Sequence, residues 1–130
     1  MILLPVLLLS GSMLNAADSS VHPIDTRMNA CLAKTHATMP RATCYNTAYL
    51  EWEADIKKVN NELLKNADAV QRKKLTDEQS SWEKERDLEF SKIADTYNAR
   101  KGTGYIPVRI KLRMEILRKR ALQLEMQLPQ

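Results

Sequence analysis

The amino-acid sequence predicts an all-α protein, a three-helix up-down bundle with a short disulfide-linked helical extension at its N-terminus. The 130 residues contain three glycines and none lies between positions 12 and 101, which argues against a multistranded sheet. Apolar residues recur every three or four positions in two long segments, as on one face of a helix. A chain of this length builds one domain with a core of modest size.

The first seventeen residues have the features of a secretory signal peptide. Residues 1–17 are uncharged, and the apolar run over 2–9 is followed by small residues that suit cleavage after Ala16 or Ala17. The run is too short to span a membrane, and no cysteine near the cleavage site could carry a lipid. We therefore expect a single domain over 18–130, periplasmic or secreted, with no transmembrane segment in the mature chain.

Cys31 and Cys44 are the only cysteines. In an oxidising compartment two cysteines most simply form one disulfide, and closing so short a loop would contribute roughly 3 kcal/mol. A reactive thiol or half of a metal site is the alternative, although no Cys-x-x-Cys or His-x-x-x-His spacing supports a metal. His22 and His36 are isolated, and we expect both at the surface. We predict no metal and no cofactor.

The first long helix follows a polar segment and a short helical turn around Met28–Ala33. It is predicted to begin at Thr38, because a hydroxyl residue and then Pro40 suit a first turn, and to end near Asn66. Its core-facing stripe is Cys44, Ala48, Trp52, Ile56, Val59 and Leu63.

The second long helix is predicted from about Ala69 to Ala99, with Asp68 as its cap. We expect the rest of the chain to be organised around its stretch 77–87, because one helical face there carries Trp82. That face comprises Gln79, Trp82, Arg86, Phe90 and Ile93.

A loop over 101–107 then leads to a third long helix, from about Val108 to Gln127. Its apolar stripe is Ile110, Met114, Leu117, Ala121, Leu124 and Leu128.

The charge of the chain is uneven. Residues 100–130 carry eight Lys or Arg against Glu115 and Glu125, a net of +6, whereas residues 1–99 carry a net of −2. A basic helix can bind an anionic surface or can simply be the solvated face of a bundle. Nucleic acid is disfavoured as a partner, because the protein is expected to be exported and no aromatic residues are interleaved with the basic ones.

No arrangement typical of an enzyme is present. The sequence has no nucleophile beside a base, no phosphate-binding loop and no cluster with metal-ligand spacing. The acidic residues of the first two long helices lie at mixed offsets, which is typical of solvated helix faces. We therefore predict a non-enzyme.

An ordered set of residues resembles the LprI-type lysozyme inhibitor family, a family of small exported helical domains. The resemblance covers about residues 28–125 and rests on the first cysteine pair, a Gln-x-x-Trp-x-x-x-Arg-Asp motif, a glycine-rich loop and the end of the last helix. The matching residues are Cys31, Cys44, Gln79, Trp82, Arg86, Asp87, Gly102, Gly104, Arg120 and Leu124.

Phe90 and Leu112 stand where the family has its third and fourth cysteines. Because both cysteines are replaced together by apolar residues, we predict that Phe90 and Leu112 touch across the second and third long helices. Arg86 of the motif is expected to have a structural role.

The resemblance implies a protein that binds and inhibits lysozyme or another peptidoglycan hydrolase in the bacterial envelope. The candidate target-binding loop contains Arg100, Lys101, Thr103 and Tyr105, where a cation could pair with cleft carboxylates and Tyr105 could fill a sugar subsite. A plain interhelical turn is the alternative for this loop. The alternative function is an interaction or structural module that docks through its basic C-terminal helix on anionic envelope components or an acidic protein. The oligomeric state is left open.

Overall fold

A computed structural model describes residues 21–130, and all regular secondary structure in that range is helical. The helices are α1 (Pro23–Leu32), α2 (Thr38–Lys65), α3 (Ala69–Asn98) and α4 (Tyr105–Glu125). This confirms the all-α prediction. The predicted signal peptide, residues 1–17, lies outside the described residues. None of the described helices is both long and apolar enough to cross a bilayer.

The helix starts follow from local chemistry. The Asp68 side chain accepts a hydrogen bond from the Gln71 N–H at 2.8 Å, so this residue caps α3 as predicted. Helix α4 begins at Tyr105, three residues before the predicted start, because Pro107 lies in the first turn where its missing N–H leaves no bond unmade. Helix α1 begins at Pro23 instead of near Met28, because His22 caps it and proline suits the first helical position.

A disulfide between Cys31 and Cys44 joins the end of α1 to the first turns of α2, with 5.7 Å between the two Cα atoms. No free cysteine remains, so the predicted pairing is confirmed. Arg41 closes the same corner by donating to the carbonyl oxygens of Leu32 and Thr35 at 3.4 and 3.2 Å. The N-terminal extension is therefore held to the long helices both covalently and by hydrogen bonds.

The directions of the long helices are visible in a few contacts. Near the start of α2, Tyr45 lies beneath Lys111 near the start of α4, which indicates that α2 and α4 run parallel. Helix α3 runs antiparallel to α2, because Phe90 near its end contacts Tyr49 near the start of α2. These contacts are consistent with the predicted three-helix up-down bundle carrying α1 as an extension.

The core lies around Trp52 and not around Trp82. Trp52 is completely buried between α1, α2 and α4, whereas α3 contributes no buried residue. The expectation that the chain is organised around the Trp82 face is therefore wrong. The reason is the composition of the core-facing stripes. The stripes of α2 and α4 are apolar throughout. Gln79 and Arg86 interrupt the stripe of α3, and burying a polar or charged side chain costs free energy. The buried core consists of Ile24, Tyr45, Ala48, Trp52, Ile56, Val59, Met114, Leu117, Ala121 and Leu124.

Candidate functional site

The seam between α3 and α4 is made by arginine and aromatic side chains. The Trp82 ring lies between two guanidinium groups, with Cζ of Arg86 5.3 Å and Cζ of Arg120 5.4 Å from the ring centroid. Arg120 also donates to Oε1 of Gln79 at 2.9 Å, and Arg86 pairs with the neighbouring Asp87 at 3.0 Å. Each cation–π contact of this kind contributes roughly 0.5–2 kcal/mol, depending on its exposure. The Gln-x-x-Trp-x-x-x-Arg-Asp motif therefore fastens α3 to α4.

Phe90 continues the same seam towards the end of α3. Its ring lies 6.3 Å from the ring of Tyr49, and Cζ of Arg113 lies 5.6 Å from its centroid. Burial and, secondarily, the nearby Glu53 carboxylate raise the pKa of the Tyr49 phenol. Contact between Phe90 and Leu112 stays a prediction.

The loop between α3 and α4 has a firm base and an exposed tip. The Arg100 guanidinium stacks on the rings of Tyr97 and Tyr105, at 5.4 and 5.2 Å from their centroids, and the two rings are 5.9 Å apart. Gly102 has a φ of 98°, a left-handed conformation that favours glycine. Lys101 and Thr103 flank it and are exposed. Of the four residues predicted to bind the target, Lys101 and Thr103 thus lie at the tip of the loop, whereas Arg100 and Tyr105 pack together at its base.

The basic residues of α4 are largely engaged within the protein. Arg118 makes a bidentate ion pair with Asp25 of α1, with N–O distances of 2.8 to 3.0 Å. Arg109 donates to the side chain of Asn98 at 2.7 Å. With Arg113 on Phe90 and Arg120 on Trp82, four of the arginines serve the fold. Most of the positive charges of this helix are therefore engaged in contacts within the protein, which the charge count alone does not reveal.

His22 is half-buried, so the expectation that it is a surface residue is wrong; His36 is exposed as expected. Nδ1 of His22 accepts the Ile24 N–H at 3.2 Å, and its ring centroid is 4.4 Å from that of Trp52. Because Nδ1 accepts, the ring proton belongs on Nε2, which donates to Oε1 of Glu125 at 2.8 Å. The His22-Pro23 dipeptide at a helix start was the only local sign of this role.

Asp55 of α2 joins His22 and Glu125 to form a cluster. Burial, followed by a hydrogen bond to Glu125 and its negative charge, raises the pKa of Asp55 to about 6. Burial alone would raise the pKa of Glu125, but hydrogen bonds from Asp55 and His22 outweigh it, so that pKa is lowered. Below about pH 6, a proton is therefore held on Asp55, next to Glu125.

This proton on Asp55 predicts a pH-dependent effect of Asp55→Asn. Since the folded-state pKa is raised, the native protein binds more protons than the unfolded chain between pH 3.8 and about 6, and Asp55 becomes destabilising as the pH rises through that window. Asparagine stays neutral and can still donate to Glu125. We expect the variant to match the wild type at pH 4 and to be more stable at pH 7.5 by on the order of 1 kcal/mol, a figure that allows for solvent screening.

Thermal unfolding at both pH values, in buffer containing a chelator, measures this difference. Asp95→Asn, which removes an exposed carboxylate of α3, is the matched control and should show no such pH dependence. An equal gain from Asp55→Asn at both pH values would exclude the raised pKa of Asp55.

Taken together, the described residues define a small helical protein with one disulfide and an arginine–aromatic seam. Residues 29–124 match the family described as lysozyme inhibitor LprI, and the chain belongs to this family. The family is one of inhibitors and not of enzymes, which agrees with the predicted non-enzyme, and at the level of the family it gives lysozyme as the partner. No curated protein and no solved structure matches the chain.

Proposed function

We propose that this protein is an exported, non-catalytic inhibitor that binds lysozyme or a related peptidoglycan hydrolase in the bacterial envelope. The family match over residues 29–124 carries this proposal. According to this proposal, residues 1–17 are removed on export, and residues 18–130 form one periplasmic or secreted domain. The three long helices serve as a rigid bundle that presents a binding loop.

The loop between α3 and α4 is the best candidate for the contact with the hydrolase. Glycosidases of this kind carry a pair of carboxylates in an open cleft, and the loop tip offers the exposed ammonium of Lys101, which has no ion-pair partner among residues 21–130. The base of the loop is held by the stack of Arg100 on Tyr97 and Tyr105. A tip held in this way loses less conformational entropy on binding than a free loop does.

The overall charge makes a specific prediction about salt. The chain has a net charge of +4, so a basic lysozyme is repelled at long range. Salt screens this repulsion, whereas contacts made inside a cleft are screened less. Inhibition through the loop should therefore persist at moderate ionic strength.

The test is residual activity of goose-type, chicken-type and invertebrate-type lysozymes in the presence of the purified protein, at low and moderate salt. We expect inhibition of at least one class, and we expect Lys101→Glu to weaken it at least tenfold, because a carboxylate then faces the acidic cleft. Lys119→Glu makes the same charge change at another exposed position, on α4, and should inhibit like the wild type. Inhibition that both variants retain would exclude the loop, and no inhibition of any class would exclude the function.

The alternative function, docking through the basic C-terminal helix, has less support from the geometry. Arg109, Arg113, Arg118 and Arg120 already have partners within the protein. Lys111 and Lys119 are more exposed than the four arginines of α4. Binding to anionic vesicles that falls steeply with salt, together with no lysozyme inhibition, would favour this alternative.

A further inference from the structure

We propose that His22, Asp55 and Glu125 form a binding site for one divalent metal ion of the zinc type. One ligand-type atom from each residue lies within 4.8 Å of the others. The three residues come from the cap of α1, the middle of α2 and the last turn of α4. His22 and Glu125 lie outside the residues matched to the family, so the family assignment does not imply the site.

The charge balance at this cluster differs from that of two other partly buried carboxylates, Asp25 and Glu51. Asp25 is paired with Arg118, and Glu51 is paired with Arg27, each through two or more hydrogen bonds. Asp55 and Glu125 instead lie beside each other, and neither forms an ion pair with a lysine or arginine within 4.0 Å in the described range. When Asp55 is ionised, its buried Oδ2 has no hydrogen-bond donor within the described range. A cation between the two carboxylates would satisfy both.

The ligand set suits zinc. One imidazole nitrogen and two carboxylate oxygens leave a fourth position for water, as in sites with three protein ligands. An open cleft lined by His22, Asp55 and Lys58 gives solvent access to that position. Nε2 of His22 and Oε1 of Glu125 are 2.8 Å apart, and tetrahedral ligands with bonds of about 2.0–2.1 Å are roughly 3.3 Å apart. To admit the ion, these two side chains would move apart slightly, and the Asp55 oxygen, which lies within 4.8 Å of both atoms, would complete the ligand set.

Binding has two costs within the structure. A metal on Nε2 requires the ring proton to move to Nδ1, so the Ile24 N–H loses its acceptor. Lys58 is close enough to lower the pKa of both carboxylates, and it would also repel a cation. We therefore expect a dissociation constant on the order of 1–10 μM, weaker than that of a closed four-ligand site.

The test is calorimetric titration of the metal-free protein with zinc chloride, with thermal unfolding as the second readout. We expect one ion per chain and a rise in Tm on the order of 10 °C at a hundredfold excess over the dissociation constant. Asp55→Asn and Glu125→Gln each remove a metal ligand. Loss of a residue that only hydrogen-bonds to a ligand weakens metal binding roughly 10- to 100-fold, so loss of a ligand should weaken it more. His22→Asn should do the same while keeping a good helix cap.

Two further variants separate this site from adventitious binding. His36→Asn removes the only other histidine, which is exposed, and should bind zinc like the wild type. Lys58→Gln removes the nearby positive charge and should tighten binding several-fold. Absence of saturable binding below about 100 μM, binding unchanged in Asp55→Asn and Glu125→Gln, or binding lost in His36→Asn would each overturn the proposal.

Discussion

Replacing Trp52 with alanine is expected to lower the free energy of unfolding by about 3–5 kcal/mol. The side chain is completely buried and packs between three helices, with His22 against its ring and the Arg118 guanidinium 6.0 Å from its centroid. Its removal leaves a cavity where α1, α2 and α4 meet, and a close-packed core relaxes into such a cavity only in part. Urea unfolding followed by circular dichroism measures the loss.

Trp82→Ala is the matched control, because it removes the same side chain from α3. Trp82 is only half-buried, and its ring contacts the half-buried side chains of Arg86 and Arg120 instead of an apolar core, so its loss should cost less than half as much. If Trp52→Ala does not fold, the milder Trp52→Phe still allows the comparison. A larger loss of unfolding free energy in Trp82→Ala than in Trp52→Ala would contradict a core centred on Trp52.

Replacing Arg118 with alanine is expected to lower the free energy of unfolding by about 2–3 kcal/mol. Asp25 is 9% exposed, and the bidentate pair to Arg118 is what compensates its charge. Alanine leaves that carboxylate buried without a partner. We place the figure below the usual range for a fully buried pair, because the Arg118 side chain is 42% exposed and water can partly replace it.

Arg27→Ala is the control for this prediction. Arg27 makes a similar bidentate pair from α1 to Glu51 of α2, but the Arg27 side chain is 59% exposed and that of Glu51 is 30% exposed. Exposed pairs contribute little, since water and salt screen them, and the stability of Arg27→Ala should differ little from that of the wild type. Chemical unfolding of both variants at the same pH and salt measures the difference. Equal losses of unfolding free energy would mean that burial of Asp25 does not set the strength of the Arg118 pair.

Much of the local structure could be predicted from the sequence. The three long helices begin and end within three residues of the predicted positions, and the apolar stripes of α2 and α4 face the core. These features depend on neighbours three or four positions apart, on proline in a first turn and on a capping Asp68, all of which are local. The order of cysteines, tryptophan and arginine was likewise enough to indicate the family.

The functional clusters were predicted less well. The loop residues were recognised, but the packing of Arg100 and Tyr105 into its base was not, because cation–π stacking between two helix ends leaves no periodic signal. The His22 cluster was missed altogether. His22 and Glu125 are 103 positions apart, and the one carboxylate at a helical spacing from His22, that of Asp25, pairs with Arg118 instead.

The sequence by itself determined the helices, their apolar faces, the cysteine pair and the family. Only the tertiary structure decided which tryptophan is central, which arginines serve the fold, and that His22, Asp55 and Glu125 meet. The physical reason is that helical periodicity depends on residues within one or two turns, whereas the register between helices depends on how all their side chains pack at once. Contacts such as Asp25 with Arg118, 93 positions apart, exist only once that register is set.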